Sequence, residues 1–544
     1  MAVVAALSVA LLAAPGQLLR RRRAGAAGPR PFGLYRHESW FRRHRRLCFV
    51  ALIAFAFLYG FAFAILARVF LVQLMIPVAV LMALALWAMH DTEVIPDRWL
   101  KRFLFVFLFG MLCWPDYLAI DIPGLPWITV GRLTAIPLAL TLALCASFSA
   151  GFRREVAETL RGEIWVWRCF YLSTIIMAAT IAMSPHLLGS LNRFINAQLY
   201  WTVPFLASCW WFGRRGAGTA FVRALWIITL IVCAIALYEV RYEALPWVGR
   251  IPPFLQIDDE FLQRLLAGAR RDGSTMYRVQ SKFGVSLVLG EYLGLVTPFI
   301  IHRVLTSARP AVWVGGAATL LLIGFIALRT DSRLAMIGLL LSFVLYGFYW
   351  SIGYRRRNPD SVLPPLLLMA YPFGVAALFV LSLVWTRLTR MTWGGGQYQS
   401  SNDARSQQWA MGIDKIVRNP IGHGMGTSGE TLGYFTPGGL LTVDSYYLTL
   451  LLELGVAGFA LFMATFAIAA VRAAFFSIRT RDAETTLLAP AAIALAMFIL
   501  SKSVLSQQEI HPLAYIILGL VLALCRRCRA EVGEPAAAAA ARPA

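Results

Sequence analysis

Acidic residues are scarce in this 544-residue sequence, 28 against 50 lysines and arginines, and only 14% of residues are charged at all. Charge that sparse cannot solvate several soluble domains, and a hydrophobic content of 59% with a mean hydropathy of +0.67 points to a polytopic membrane protein. A disulfide framework is missing as well. Cys48, Cys113, Cys145, Cys169, Cys209 and Cys233 lie in or beside apolar segments, and Cys525 and Cys528 lie in an arginine-rich tail. Metal-ligand spacing is also absent: the single Cys-x-x-Cys has no second pair, and His423 and His511 stand alone. No metal or other cofactor is therefore read from the sequence. The net charge of +22 lacks a continuous basic face, because the arginines form short clusters between apolar runs. That distribution excludes nucleic acid as partner and fits loop charges beside a lipid bilayer.

The N-terminus lacks the charge order of a signal peptide, since its apolar run precedes Arg20–Arg23 and the RRHRR cluster at 42–46. Residues 1–46 read as a flexible basic cytoplasmic tail. No internal repeat is visible, and low complexity is confined to the Ala-rich tail after Pro535.

What is abundant is apolar sequence in runs of membrane-spanning length. A span of about 20 residues places helices near 47–66, 69–89, 103–119, 127–147, 164–184, 194–212, 224–240, 284–302, 311–328, 334–351, 362–385, 446–471, 487–505 and 512–525. The expected fold is all-α, with about fourteen transmembrane helices and two long periplasmic loops carrying short helices. With the N-terminus inside, alternate loops hold Lys101-Arg102, Arg153-Arg154, Arg214-Arg215, Arg303 with Arg309, Arg355–Arg357, Arg472 with Arg479 and Arg481, and the Arg-rich C-terminal tail. This satisfies the positive-inside rule and puts both termini in the cytoplasm. The expected layout is a tail (1–46), N-terminal spans (47–240), a first periplasmic loop (241–283) and central spans (284–385). A second periplasmic loop (386–445), C-terminal spans (446–525) and a cytoplasmic tail (526–544) complete it.

The first long loop contains IDDEFLQRLLAGARRDG, which has acids at its start, an apolar stripe, and arginines before glycine at its end. It predicts an amphipathic helix on the membrane surface. Asp258, Asp259 and Glu260 fit the helix dipole better than a divalent cation.

Ionisable groups gather at the outer ends of the spans: Arg278 with Lys282, the turn Arg329-Thr-Asp331-Ser-Arg333, Arg405 in the second loop, and Asp444 before the twelfth span. Charge at membrane depth is costly and faces a cavity or a partner. Several arginines with one carboxylate make an anion site, because the guanidinium fork matches phosphate oxygens and stays charged at any working pH. Asp444 is the candidate acid-base residue of such a site, and Arg405 its catalytic neighbour. Simpler readings stand beside these. Arg329 and Arg333 fit snorkelling to the interface, Arg278 and Arg405 fit exposed loop positions, and Asp444 before Ser-Tyr-Tyr-Leu fits a helix N-cap. Lys502, inside an apolar helix, reads first as a snorkelling residue. Glu453 lies nine residues after Asp444, half a turn round and about 13 Å deeper. It reads as a structural hydrogen-bonding residue, with Gly455 and Gly458 allowing close helix contact. A transporter would break its helices at mid-membrane and carry charge there, whereas here the charges sit at the outer ends.

The segment RSQQWAMGIDKIVRNPIGHGMG, followed after a variable stretch by DSYYLTLLLELGVAGF, resembles the signature of the O-antigen ligase and Wzy-type polymerase superfamily. YRVQSKFGVSLVLGEYLGLVTPF and LRTDSRLAMIGLLL resemble its two upstream motifs, so the likeness runs from roughly 224 to 471. The resemblance implies metal-independent glycosyl transfer on the periplasmic side of the bacterial inner membrane. The donor would be an undecaprenyl-pyrophosphate-linked oligosaccharide, with a flippase and chain-length regulators as candidate protein partners. Carried over by position, Arg278, Arg333 and Arg405, with Lys282 and Arg329 nearby, would hold the pyrophosphate, and Asp444 would deprotonate the acceptor hydroxyl. Two departures matter. Asp444-Ser445 stands where ligases have histidine-asparagine, which favours a polymerase over a ligase. Ser281 stands where the family favours glycine.

Overall fold

The computed structural model describes residues 97–121, 127–255, 266, 277–386, 389, 399–436, 439, 441–480 and 482–540. The tail at 1–46, the spans expected at 47–66 and 69–89, and the acidic start of the first-loop helix lie outside the described residues. Two compact units are present. The smaller comprises Met1–Ile95, Asp121–Ile128 and Ala143–Gly151, and within its described part Ser149 N–H donates to the Cys145 carbonyl at 3.0 Å. The larger comprises Pro96–Ile120, Thr129–Leu142 and Phe152–Ala544 and carries every candidate site residue.

The helices are α1 (Asp97–Cys113), α2 (Val130–Phe148), α3 (Ala150–Gly162), α4 (Ile164–Thr180), α5 (Leu187–Ala197), α6 (Val203–Trp211), α7 (Ala217–Tyr242) and α8 (Ser286–Thr306). Then follow α9 (Pro310–Arg329), α10 (Arg333–Arg357), α11 (Leu363–Val384), α12 (Gln399–Arg418), α13 (Ser428–Leu432), α14 (Tyr446–Ser477), α15 (Leu488–Lys502) and α16 (His511–Ala540). Among the described residues nine are long and apolar enough to cross a membrane: α2, α4, α7 to α11, α14 and α15. The described residues are thus mostly helical, with two two-residue strands at Ala119–Ile120 and Ile128–Thr129, which is consistent with an all-α polytopic membrane protein. Three other expected spans are helical but differ in extent. The span at 103–119 falls on α1, which stops at Cys113 because Pro115 disfavours helix at the residue before it. The span at 194–212 falls on α5 and α6, joined by a π turn at Gln198–Thr202, and 512–525 lies inside α16.

Helices apolar on all sides occupy the interior of the larger unit. From Val288 to His302, α8 is buried at every position, and it lies against α10 because Gly290 and Gly294 face Ala335 and Gly338. A Cβ at Gly290 would come within 2.8 Å of the Ala335 Cβ. This small-residue contact seats the start of α10 beside the start of α8. By contrast, α11 buries only Pro364 and Ser382. An aromatic cluster lies beneath the first turns of α14: Trp201 stacks on His511 and Tyr515, and Tyr446 meets His511 edge-on at 4.7 Å between centroids.

One interior feature overturns a sequence expectation. Lys502 does not snorkel. Its ammonium and the Glu291 carboxylate are both fully buried and 2.9 Å apart, with Ser501 Oγ donating to Glu291 and Lys502 Nζ donating to the Gln507 carbonyl. A buried charge is tolerated only with such a partner.

The helix α14 is broken at Gly455, whose backbone has φ 70° and ψ −176°. That break leaves peptide groups without helical partners, which an apolar environment does not tolerate. The segment Pro420–Gly424 supplies them. His423 N–H donates to the Leu452 carbonyl at 2.8 Å, Gly424 N–H to Glu453 at 3.1 Å, and Val456 N–H to Pro420 at 2.9 Å. Gly422 and Gly424 also have positive φ, and a Cβ at Gly422 would lie 2.6 Å from the Glu453 carbonyl. The two glycine motifs are therefore two halves of one joint. The expected role of Gly455 in helix contact is corrected by this geometry, while Gly458 does lie close to Ile176 of α4.

The arginine clusters gather at one end of the larger unit. Arg472 and Arg529 pair with Glu163, Arg527 with Glu484, and Arg214 with Glu155 and Asp97. From Asp97, α1 runs about 20 Å to Met111, whose carbonyl accepts from Lys282 at the other end.

Candidate active site

Four segments meet at the end of the larger unit remote from those arginine clusters. The first, Tyr277–Gly284, leads into α8 and is held by a buried carboxylate absent from the sequence expectations. Glu239, in the last turn of α7, accepts from Tyr277 Oη at 2.9 Å, from Gln280 N–H at 3.0 Å and from Ser281 N–H at 2.6 Å. Ser281 has φ 56°, in the left-handed region where glycine is at ease, and its hydroxyl donates to the Val232 carbonyl. Glu509 completes the clamp by accepting from Gly284 N–H at 3.2 Å.

The second segment is the turn between α9 and α10, with Asp331 at φ 46°. It is joined to the first by Val279 N–H donating to the Arg329 carbonyl at 3.2 Å, and by Arg278 Nε donating to the Thr330 carbonyl at 3.3 Å. The third is α12, a polar 20-residue helix in what the sequence presents as a loop. Asn402, Arg405, Gln408 and Gly412 form one stripe along it. Arg333 Nη2 donates to Asn402 Oδ1 at 2.7 Å, and Gly412 lets α12 lie against Leu448 of α14, where a Cβ would come within 2.5 Å of its methyl. The fourth is the approach to α14. There Arg405 Nε lies 3.9 Å from Asp444 Oδ2, and Asp444 N–H donates to Gln408 Oε1 at 2.9 Å.

Each candidate can now be placed. Arg278, Arg333, Arg405 and Asp444 form a continuous line through Thr330 and Asn402. Arg329 shares the turn, and its Nε is buried with no hydrogen-bond partner among the described residues. Lys282 is not brought into the line. Its ammonium is wholly buried, donates to the Met111 carbonyl at 2.8 Å and lies 4.0 Å from Glu509. Asp444 is not a helix cap: the capping position of α14 is Ser445, and the Asp444 side chain is one-third exposed beside Arg405. Burial pushes the Asp444 carboxyl above the usual carboxylate range, while Arg405 first and then the Gln408 amide pull it back. Burial likewise raises Glu509, opposed chiefly by Lys282. Glu453 accepts from Ser428 Oγ at 2.7 Å and ties α13 to α14, away from Asp444.

Sequence reasoning missed Glu239, Glu509, Asn402 and Gln408. Asn402 and Gln408 left a usable signal, since they stand three residues before and after Arg405 on the same helix face.

A partly exposed carboxylate paired with Arg405, at the end of a run of segments that carries Arg333 and Arg278, can accept a proton next to a bound anionic group. No curated protein matches the chain. Residues 318–463, which include Arg329, Arg333, Arg405 and Asp444 but neither Arg278 nor Lys282, match the family described as O-antigen ligase, Wzy_C. That segment is therefore similar to the family described as O-antigen ligase.

Proposed function

We propose that this chain is a membrane glycosyltransferase that joins oligosaccharide repeats carried on undecaprenyl pyrophosphate into O-antigen, capsule or exopolysaccharide. The oxygen of an acceptor hydroxyl forms a bond to the anomeric carbon of the donor glycan as that carbon's bond to the pyrophosphate breaks. The electron pair leaves with the pyrophosphate, and the hydroxyl proton passes to Asp444. Arg278, Arg333 and Arg405 hold the pyrophosphate and the charge it gains on leaving, with Arg329 behind them. Three guanidinium groups supply that charge stabilisation, so the reading calls for no metal.

The observation that carries this reading is the line from Arg278 through Arg333 and Arg405 to Asp444, built by four separate segments. The segregation of arginine clusters to the other end of the larger unit supports a periplasmic site, because that basic end is the one expected in the cytoplasm. Aspartate at the acceptor-facing position favours the polymerase. The matched family's description favours a second reading, a ligase that moves the finished glycan to lipid A core or protein.

Deleting the gene and resolving lipid-linked and surface glycans by gel separates the two. Single repeats in place of a ladder support the polymerase, and an intact ladder retained on the carrier supports the ligase. Unchanged glycans contradict both.

A further inference from the structure

The proposed chemistry makes one demand that Arg405 alone cannot meet. Among the described residues the cation paired with Asp444 is Arg405, at 3.9 Å, yet the same guanidinium is asked to hold the pyrophosphate. Once the donor occupies Arg405, the carboxylate needs other hydrogen-bond donors to stay ionised and correctly turned.

Two donors lie on residues that adjoin Asp444, one through a backbone hydrogen bond and one along the chain. Gln408 is 1% exposed, and its orientation is fixed, because the Asp444 N–H can only donate and so must face Oε1. The Nε2 amino group therefore points elsewhere, and it is buried with no partner among the described residues. Ser445, the next residue after Asp444, holds the N-cap position of α14, where a serine hydroxyl ordinarily accepts from the first turn. Here it makes no capping bond, and its Oγ is likewise buried and unpartnered. Buried donors without partners are uncommon in native proteins and call for an explanation. Arg405 Nε is a third such atom on the same site.

We infer that Gln408 and Ser445 are positioning residues that take over the Asp444 carboxylate from Arg405 when the donor pyrophosphate binds. The Gln408 amide is already held against Asp444 by the 2.9 Å bond from the Asp444 N–H to its Oε1. The inference rests on Asp444 being the base.

The test uses the full-length protein in lipid vesicles with a purified polyprenyl-pyrophosphate-linked oligosaccharide. Gln408→Glu keeps an oxygen for the Asp444 N–H while removing the donating amino group, but its added charge by itself raises Asp444, so Ser445→Ala, which removes only the hydroxyl, carries the pH readout. Each should lower kcat about tenfold or more, leave the KM for donor within about twofold, and move the acid limb of the kcat profile to higher pH. The melting temperature of Ser445→Ala should match the parent, since no cap is lost. A normal kcat and pH profile, or a Ser445→Ala protein whose only change is a lower melting temperature, would overturn the inference. Asp444→Asn is run alongside. Full activity there removes the base and this inference together, whereas an inactive Asp444→Asn with normal Gln408→Glu and Ser445→Ala removes the inference alone.

Discussion

Asp444 carries the sharpest predictions at the level of single residues. A base must be ionised to act, and burial raises the Asp444 carboxyl, so activity should fall on acidification at a pH above that of an exposed aspartate. The Arg405 guanidinium opposes that rise, so Arg405→Met should move the acid limb of the residual activity to still higher pH. A pH–rate profile of parent and variant checks the sign, and a limb moving downward would contradict it. Ser281 gives a second prediction. Glycine there relieves a left-handed backbone but loses the hydroxyl bond to Val232, and these effects are each about 1 kcal/mol. Ser281→Gly should therefore keep activity and melting temperature near the parent's. These residue roles were only half legible in sequence. Arginine and aspartate at span ends announce themselves because charge near a membrane needs a reason. Gln408 and Ser445 do not, because their significance lies in which atoms lack partners.

At the scale of elements, the joint between Pro420–Gly424 and the break in α14 is the most demanding local structure. Gly455 occupies a backbone region that costs other residues about 1–3 kcal/mol, and a Cβ would sit 2.3 Å from the Pro420 carbonyl. Gly455→Ala should lower the melting temperature of the detergent-solubilised protein markedly, whereas an unchanged value would mean the joint is not formed. The Lys502–Glu291 pair gives a complementary case. Lys502→Met alone leaves a buried carboxylate unpaired, a change that destabilises by about 3–5 kcal/mol. The double variant Lys502→Met/Glu291→Leu should recover much of that loss, as read by melting temperature. Sequence showed both glycine motifs but not that they interlock, since spacing along the chain does not reveal which backbone groups exchange hydrogen bonds. It also read Lys502 as snorkelling, because a lone lysine near a helix end looks the same whether its partner is water or Glu291, 211 residues away.

For the whole molecule, hydropathy revealed most of the architecture because apolar runs of spanning length have few alternatives. It overextended α1 past Pro115, and where it expected short helices in the polar stretch after α11 there is a 20-residue one, α12, which brings Arg405 and Gln408 to Asp444. The site exists only as an assembly: α7 and the turn before α16 hold the Arg278 segment through Glu239 and Glu509, α10 offers Arg333, and α12 meets α14. The most direct measurement is the release of polyprenyl pyrophosphate from a lipid-linked oligosaccharide by the purified protein in bilayers, comparing parent with Asp444→Asn. The proposed chemistry predicts release with glycan elongation by the parent and a loss of about 10²- to 10⁴-fold in the variant. Equal release by both proteins would contradict it.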